Sequence, residues 1–371
     1  MSVPLSQLIE GLERAYPPAL AESWDAPGLV CGDPGDSVTS ALVCVDVTDA
    51  VVDEALDLGA GLIVAHHPLL MRGVTSVSAD TPKGRLLHRL IRGGCALYSA
   101  HTNADKARPG VSDALADLFG LHDTVPLAPE PAAPLDKWVV MVPEGNAEQV
   151  SEAMFAAGAG AVGDYTDCQW SVVGTGQFLP QENASPALGA IGDLTRVDEE
   201  RIETVAPRAA RATVLAALRD AHPYEEPAFD VFAQVALDSD LGLGRVGRLP
   251  APMPLREFVS HAARVLPTAP WGIRAAGDPG AEISTVAVCG GAGDSLVDAA
   301  VAAGADVYLT GDLRHHVVDE ARRAGGPAFI DAGHWATEFP WCTTAADLIT
   351  GLGCPARVFT TCTDPFTVVP S

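Results

Sequence analysis

Basic residues are scarce in this chain of 371 residues. Lys and Arg number 23 against 48 Asp and Glu, which gives a formal net charge of -25 at pH 7. The longest run of basic residues is the pair at 322–323. Proteins that bind nucleic acid present a basic face to the phosphates. Nucleic acid is therefore a poor choice as the main partner, although a local positive pocket is compatible with this composition.

Cysteine motifs and long apolar runs are also lacking. The eight cysteines are scattered without a CxxC pair, so a cysteine-rich zinc site is unsupported, and we expect buried free thiols in a reducing compartment. No stretch of about eighteen apolar residues without charge occurs, and segment 1–18 carries acidic residues and no apolar core. We therefore expect a cytoplasmic protein without membrane contact.

The first segment, residues 1–130, alternates apolar runs with helical patterns. Apolar residues make up 48% of the chain and charged residues 19%, enough for a sizeable core. The βαβαβα rhythm predicts a parallel sheet covered by helices. The predicted strands lie over 41–48, 61–68 and 95–102, and the predicted helices over 49–59, 83–93 and 111–119.

A second unit is predicted over residues 136–236, after a stretch rich in Pro and Ala at 126–134 that is typical of a linker. Its two strand–helix–strand patterns indicate a ferredoxin-like arrangement. The third segment, 240–371, returns to the rhythm of the first, so the simplest architecture is one α/β domain split by an inserted unit. Its strands are predicted over 283–293, 306–312 and 327–334, and its helices over 295–303, 314–324 and 341–351.

Side chains of the kind that bind metals follow three of the predicted strands. His66 and His67 end one strand, His101 ends the next with Asp105 just beyond, and the strand over 327–334 leads to His334 and Glu338. Ligands of open parallel sheets bind at the carboxyl ends of the strands. Imidazole and carboxylate ligands suit Zn, Fe, Mn, Co or Ni. The pattern therefore predicts a metal site at this edge.

The spacing of these residues favours a pair of ions. Two neighbouring cations repel each other, so a shared anion must lie between them. The side chains of His66 and His67 diverge in extended chain and can serve different ions. His334 and Glu338 face the same way if a helix begins there.

Other polar residues near these strand ends have two interpretations each. His101 suits either a proton-transfer or supporting role or a structural one. Asp46 and Asp312 are read as helix N-caps in preference to site residues, and Asp331 as a residue that orients its loop. The sequence GGAGD at 290–294 suits either an anion bound by backbone N–H groups or a tight turn.

Four motifs together resemble the Nif-three-like dinuclear metal-centre family, whose members are called type 2 GTP cyclohydrolase I homologues. The motifs are AHHPLL, SAHTNADKARPGVSDALA, LTGDLRHHVVDEA and IDAGHWATE, and the likeness covers nearly the whole chain. The middle unit resembles the CutA-like (PII-like) domain inserted in the longer bacterial members. The resemblance implies a split Nif-three-like α/β domain with a parallel-type sheet, interrupted by that insert.

The resemblance also implies the site and the assembly. It implies two divalent ions per chain, with Glu338 as the bridging carboxylate, and a homohexamer built as a trimer of dimers in which the inserts pack as trimers. This chain departs from the family at one position: where the family motif WDNxGL has Asn, this chain has Ala26. The ligands implied are His66, His67, Asp105, His334 and Glu338.

Two classes of function are compatible with such a site. The leading hypothesis is a metal-dependent hydrolase that acts on a small molecule, which for GTP would mean opening the imidazole ring of guanine. No GxxxxGK[ST] loop is present to hold a triphosphate. The rival is a non-catalytic module that stores metal or senses a metabolite. A protein whose metals only stabilise the fold is a weaker third hypothesis.

Overall fold

The apolar runs of the first segment form short buried strands in the computed structural model, which describes residues 2–270 and 272–368. Local signals set the helix ends: the hydroxyl of Thr81 caps the helix that starts at Pro82, and Gly94 ends it with a left-handed φ of 66°. The elements are β1 (Val3–Pro4), α1 (Leu5–Ala15), β2 (Gly28–Cys31), β3 (Ser37–Val38), β4 (Ala41–Cys44), α2 (Asp49–Asp57), β5 (Leu62–Ala65), α3 (Pro82–Gly93), β6 (Ala96–Ser99), α4 (Thr102–Lys106), α5 (Val111–Leu118) and β7 (His122–Pro131).

The middle segment forms a compact unit of its own over residues 131–239. Its antiparallel sheet has the order β11-β8-β10-β9, which is that of a ferredoxin-like unit. The strand–helix–strand pattern requires β9, for which the sequence predicts no range; it is an edge strand that is largely exposed. The elements are β8 (Leu135–Pro143), α6 (Ala147–Ala156), β9 (Gln169–Phe178), β10 (Thr195–Pro207), α7 (Arg211–Ala221) and β11 (Phe229–Ala233).

The third segment completes the other compact unit, which comprises residues 1–130 and 240–371. The predicted rhythm is present, but the last long helix starts at His334 and not at 341, and it contains Pro340. The elements are β12 (Asp238–Pro254), α8 (Leu255–Val265), β13 (Arg274–Ala276), β14 (Glu282–Ala292), α9 (Val297–Ala302), β15 (Val307–Gly311), α10 (His315–Arg323), β16 (Ala328–Asp331), α11 (His334–Gly351) and β17 (Ala356–Val358).

This split unit contains two main sheets, and each combines strands from before and after the insert. The first has the order β17-β4-β5-β6-β2 and the second β13-β16-β15-β14-β12-β7. Strands β17, β4, β5 and β6 are parallel, as are β14, β15 and β16, whereas β2, β12 and β13 pair antiparallel. The expected parallel sheet is therefore two mixed sheets. The prediction of a linker over 126–134 is wrong for residues 126–131, which belong to β7 and pair with β12.

Both faces of the first sheet are buried, which explains its nearly unbroken apolar strands. Leu62 and Val64 pack with α1 and α11, whereas Ile63 between them packs with α2 and α3. Because side chains along these strands alternate between two buried faces, polar side chains can reach a site only at the carboxyl ends of the strands. No helix in the described part of the chain has both the length and the apolar character needed to cross a membrane.

One buried ion pair connects the two halves of the split unit. Arg245 on β12 is fully buried and donates all five of its N–H groups. Two go to the carboxylate of Asp113 on α5, each at 2.7 Å, and the others to backbone carbonyls of Ala107, Gly242 and Gly244. The pair therefore holds the chain before the insert to the chain after it.

Candidate metal centre

Three segments bring the predicted site residues together. His66 and His67 follow β5, and Asp105 lies on α4 just after β6, which is the parallel neighbour of β5. His334 and Glu338 occupy the first turns of α11, after β16 of the second sheet. The cluster thus lies at the carboxyl ends of parallel strands from both sheets, whereas the sequence predicted the edge of only one.

The donor atoms are spaced like ligands of shared ions. The carboxylate of Glu338 lies in the centre, 3.4 Å from His66 Nε2, 3.1 Å from His67 Nε2 and 3.0 Å from His334 Nε2. The last two Nε2 atoms are 3.2 Å apart, and Asp105 Oδ1 is 3.7 Å from His66 Nε2. Ligands bound tetrahedrally at about 2.0–2.2 Å from an ion lie about 3.3–3.6 Å from one another. The observed spacings are close to that range.

Each imidazole of the cluster is oriented through its other ring nitrogen. The Nδ1 atom of His66 lies 2.9 Å from the backbone oxygen of Ala100. In His67 and His334 the Nδ1 atom lies 2.7 Å from a carboxylate oxygen of Asp46 and Asp312, respectively. Because these oxygens accept a hydrogen bond from Nδ1–H, they leave the Nε2 lone pair for a cation, as in known metal sites.

The roles of Asp46 and Asp312 correct the sequence interpretation. The sequence favours a helix N-cap for both, but the cap of α2 is Thr48, and α10 has Arg314 in the cap position without a side-chain hydrogen bond. The positive φ of 55° at Asp312 turns the chain after β15 toward His334. An acidic residue directly after a strand can either cap the next helix or orient a histidine of a site. The sequence alone does not distinguish these two roles.

Two buried atoms of the cluster lack a partner. Among the described residues, His66 Nε2 and Glu338 Oε2 make no hydrogen bond. His66 is completely buried and Glu338 is 4% exposed. A buried polar atom without a partner is costly. A lone pair on His66 that faces two carboxylates is a site for a cation.

The charges of the cluster depend on one another in the metal-free chain. Burial lowers the pKa of His67 and of His334, but the carboxylate of Glu338 outweighs it and raises them to about 11 and about 9. Burial raises the pKa of Glu338, and the three histidines outweigh it and hold that pKa well below its usual range. Burial raises the pKa of Asp105 to about 6. Metal ions therefore compete with protons for these nitrogens.

A fourth imidazole, that of His101, lies beside the cluster. Its ring centroid is 5.3 Å from that of His66 and 5.5 Å from that of His67. Its Nδ1 atom lies 2.9 Å from the carboxylate of Asp25, which also accepts hydrogen bonds from Thr102. Burial and the nearby His66 lower the pKa of His101 to about 4. This geometry is compatible with two roles for His101, proton transfer or a further metal ligand.

Asp25 is a site residue that sequence reasoning missed. The available signal is the motif at 24–29, WDAPGL, in which the family's Asn is missing. Asp25 precedes Ala26, the residue that replaces that Asn, and it orients His101 from outside the three strand ends. Its role depends on a loop whose path sequence patterns do not predict.

Small residues at the end of β14 make room for the central carboxylate. Gly291 has a φ of 67°, and a Cβ atom there would lie 2.3 Å from Glu338 Oε1 and 3.1 Å from His334 Nε2. Its N–H donates to the hydroxyl of Thr337, and the N–H of Gly293 to the carbonyl of Gly311. These two amides of the GGAGD sequence are thus used within the protein, and the glycines serve the close approach of α11.

The remaining polar candidates have the structural roles that the sequence predicts for them. Asp331 accepts hydrogen bonds from Arg274 and from the backbone of Leu313 and Gly333, so it orients its loop as expected. The eight cysteines are free, and none belongs to a His, Cys or carboxylate cluster in the described part of the chain.

The fold and the cluster together define a class: an α/β protein with a His- and carboxylate-lined site that could hold metal ions. The chain belongs to the Duf34/NIF3 (NGG1p interacting factor 3) family, whose model matches residues 3–364. A Mycobacterium tuberculosis protein named GTP cyclohydrolase 1 type 2 homolog is 58% identical over 99% of this chain and 97% of its own.

Solved structures agree with this assignment. The crystal structure of a Bacillus cereus protein related to NIF3 has a TM-score of 0.76 and 36% identity, and covers 99% of both chains. The crystal structure of Staphylococcus aureus protein SA1388 has a TM-score of 0.83 and 27% identity, with the same coverage. The family resemblance predicted from the motifs is therefore confirmed.

Proposed function

We propose that this protein is a hydrolase with two divalent metal ions per chain. The observation that carries the proposal is the buried lone pair of His66 Nε2, which faces the carboxylates of Asp105 and Glu338 and has no hydrogen-bond partner among the described residues. One ion would be held by His66, Asp105 and Glu338. The other would be held by His67, His334 and Glu338, which fits the grouping of these donor atoms.

Two bound ions would supply a water of lowered pKa and charge stabilisation for hydrolysis. The protein's part is to fix the donor atoms through Asp46, Asp312 and the carbonyl of Ala100, since their orientation is set before any ion binds. His101, held by Asp25, is the candidate for accepting a proton at Nε2.

A cavity of about 230 Å³ opens beside the ligands. His67 and His334 border it with Trp335, and the segment 364–366 forms another wall. Its volume suits part of a small molecule and excludes a folded macromolecule. The names of the relatives suggest a nucleotide as a first substrate to test, with the reacting atom a ring or amide-like carbon.

We further propose that the middle unit is CutA-like and that the chain forms a homohexamer, a trimer of dimers. The sheet order of the unit supports the first statement. The exposed edge strand β9 supports association with a second copy, because Trp170, Val172 and Val173 are exposed there and such a copy would cover them. The mass of the assembly in native mass spectrometry tests the hexamer.

Asp312→Asn is expected to weaken metal binding by about 10- to 100-fold, because the charged acceptor for His334 Nδ1–H is lost. Asn tolerates the positive φ at this position, so the backbone should be kept. Competition with a chelator measures the affinity, and Asp298→Asn on the exposed side of α9 is the control. Equal affinities for the two variants would show that Asp312 does not orient a ligand.

Hydrolysis itself is tested with the fully metal-loaded chain and a panel of nucleotides and cyclic amides that includes GTP. We expect turnover that is lost when the metal is removed. His101→Gln should keep both ions and lower turnover by about 10²- to 10⁴-fold. Loss of an ion in this variant would make His101 a ligand, and absence of hydrolysis across the panel would favour the non-catalytic binding module.

A further inference from the structure

The cavity beside the proposed metal centre is lined by carboxylates and lacks basic side chains. Its volume is about 230 Å³, and Asp46, Asp312 and Asp364 contribute to its wall. No Lys or Arg belongs to the described residues that line it. A site for a phosphorylated substrate normally presents Arg or Lys to the phosphate. The described lining of this cavity therefore lacks the side chains that recognise phosphate.

The proposed ions do not reverse the negative charge of the lining. Histidines bound to metal are neutral, so the carboxylates set the negative charge of the site. Asp105 and Glu338 would bind the ions, and the three lining aspartates lie beside them. These five carboxylates exceed the four positive charges of two divalent ions. A phosphate group would add negative charge where an excess of it is already present.

A phosphate bound to the ions themselves would also oppose hydrolysis. In the proposed reaction the ions supply the water that attacks a ring or amide-like carbon. A phosphate on the ions would occupy the position that this water needs. The ions therefore do not replace the missing basic side chains as a phosphate site during the reaction.

Asp312 offers a hydrogen-bond acceptor in this lining. Its Oδ2 atom lies 2.7 Å from Nδ1 of His334, whereas its Oδ1 atom makes no hydrogen bond with a described residue. The side chain is 46% exposed. A carboxylate oxygen accepts hydrogen bonds and donates none. It therefore suits an N–H group of a ring and disfavours a phosphate or a second carboxylate.

The segment near the C-terminus adds an exposed aromatic ring to the wall. Phe366 lines the cavity and is 68% exposed. Its N–H donates to Oδ1 of Asp364 at 2.8 Å, and the hydroxyl of Thr363 donates to Asp46. The segment is thus tied to the carboxylate that orients His67. An aromatic ring held in this way offers a stacking surface for a flat heterocycle.

A second exposed aromatic side chain lies next to His101. Trp24 is 57% exposed, and its ring centroid lies 5.9 Å from that of His101 in an edge-on arrangement. His101 is the proposed proton acceptor, so a reacting ring would lie close to this indole. Exposed aromatic rings near both His101 and His334 favour a planar substrate over an aliphatic one.

We infer that the proposed hydrolase acts on an unphosphorylated nitrogen heterocycle, a nucleobase or nucleoside and not a nucleotide. The inference rests on the hydrolase proposed above and names its substrate class. Phe366 stacks on the ring, and Asp312 accepts a hydrogen bond from a ring N–H. In the reaction the oxygen of water bonds to a ring carbon, the C–N bond breaks and the nitrogen takes up a proton, so that no oxidant or reductant is needed.

Isothermal titration of the metal-loaded, full-length chain tests the inference without requiring turnover. Guanosine, adenosine and uridine are each compared with their 5′-monophosphates. We expect at least one nucleoside to bind about 10-fold more tightly than its monophosphate, a difference of about 1.4 kcal/mol. Monophosphates that bind as tightly as the nucleosides in every pair, or absence of binding by every nucleoside, would overturn the inference.

Phe366→Ala should weaken the binding of that nucleoside by about 5- to 100-fold, because base–aromatic stacking is lost. Phe232→Ala is the matched control, since Phe232 is also exposed but belongs to the middle unit. The control should keep the affinity within about 2-fold of the unmodified chain. Equal affinities of the two variants would overturn the stacking role of Phe366.

Hydrolysis of guanosine and of GTP by the same preparation separates this inference from the hydrolase proposal. Nucleosides that bind in the expected pattern but are not hydrolysed would refute the hydrolase and support the ligand class. Turnover of GTP in preference to guanosine would support the hydrolase and overturn the inference.

Discussion

Replacing Glu338 by Gln is expected to reduce the bound metal from two ions per chain to one or none. Glu338 is the only side chain of the proposed ligand set that approaches all three histidines, with its oxygens 3.0–3.4 Å from their Nε2 atoms. The amide has the same shape but lacks the charge that offsets the repulsion between two cations. Elemental analysis of the purified variant measures the loss.

The fold should survive this substitution. Glu338 is one residue of the long helix α11, whose apolar side packs in the main core through Trp341, Ala345 and Ile349. Circular dichroism should therefore match the unmodified chain. Glu320→Gln on the exposed side of α10 is the matched control and should keep both ions. A Glu338→Gln protein that keeps two ions would refute the bridging role.

Arg245→Ala is expected to lower the free energy of unfolding by about 3–5 kcal/mol, the largest effect on stability that we predict. The substitution removes a fully buried guanidinium and leaves the carboxylate of Asp113 without its main partner. Three backbone carbonyls lose their donors at the same time.

Urea unfolding followed by circular dichroism measures the change. Arg248→Ala, on the same strand but exposed, is the matched control and should change stability by less than about 0.5 kcal/mol. The double variant Arg245→Met with Asp113→Leu should recover part of the loss, because apolar pairs often replace buried ion pairs. Equal stability of the Arg245→Ala and Arg248→Ala proteins would show that the pair does not join the two halves of the unit.

Strand–helix order was predictable because the apolar runs are short and both of their faces are buried. Runs such as the one that forms β5 need little context, since periodicity and flanking turn residues define them. The pairing of strands from distant segments was not predictable. Sequence patterns do not show that β12 and β7 join the second sheet, or that β17 returns to the first, so one sheet was predicted where two exist.

Proline lies inside two elements whose bounds differ from the prediction. The helix predicted over 341–351 starts at His334, seven residues earlier, and contains Pro340. The residues 126–131 were taken as linker, but they continue a strand on the sheet edge, where Pro is tolerated. In both cases tertiary packing outweighs the local preference of one residue type.

The strand-end positions predicted a metal site with candidate side chains from three segments, and the family resemblance implied which five of them are the ligands. The residues that orient them could not be found in this way. Asp25, Asp46 and Asp312 are single carboxylates whose contacts depend on loop conformation. Acidic residues after strands also serve as helix caps.

The central claim is that His and carboxylate side chains from three distant segments hold a pair of divalent ions around Glu338. Crystals of the full-length chain, with diffraction data measured on both sides of the absorption edge of the bound metal, test it most directly. We predict two anomalous peaks about 3.5–4 Å apart, on opposite sides of the Glu338 carboxylate. A metal-loaded crystal with no peak or a single peak at this place would contradict it.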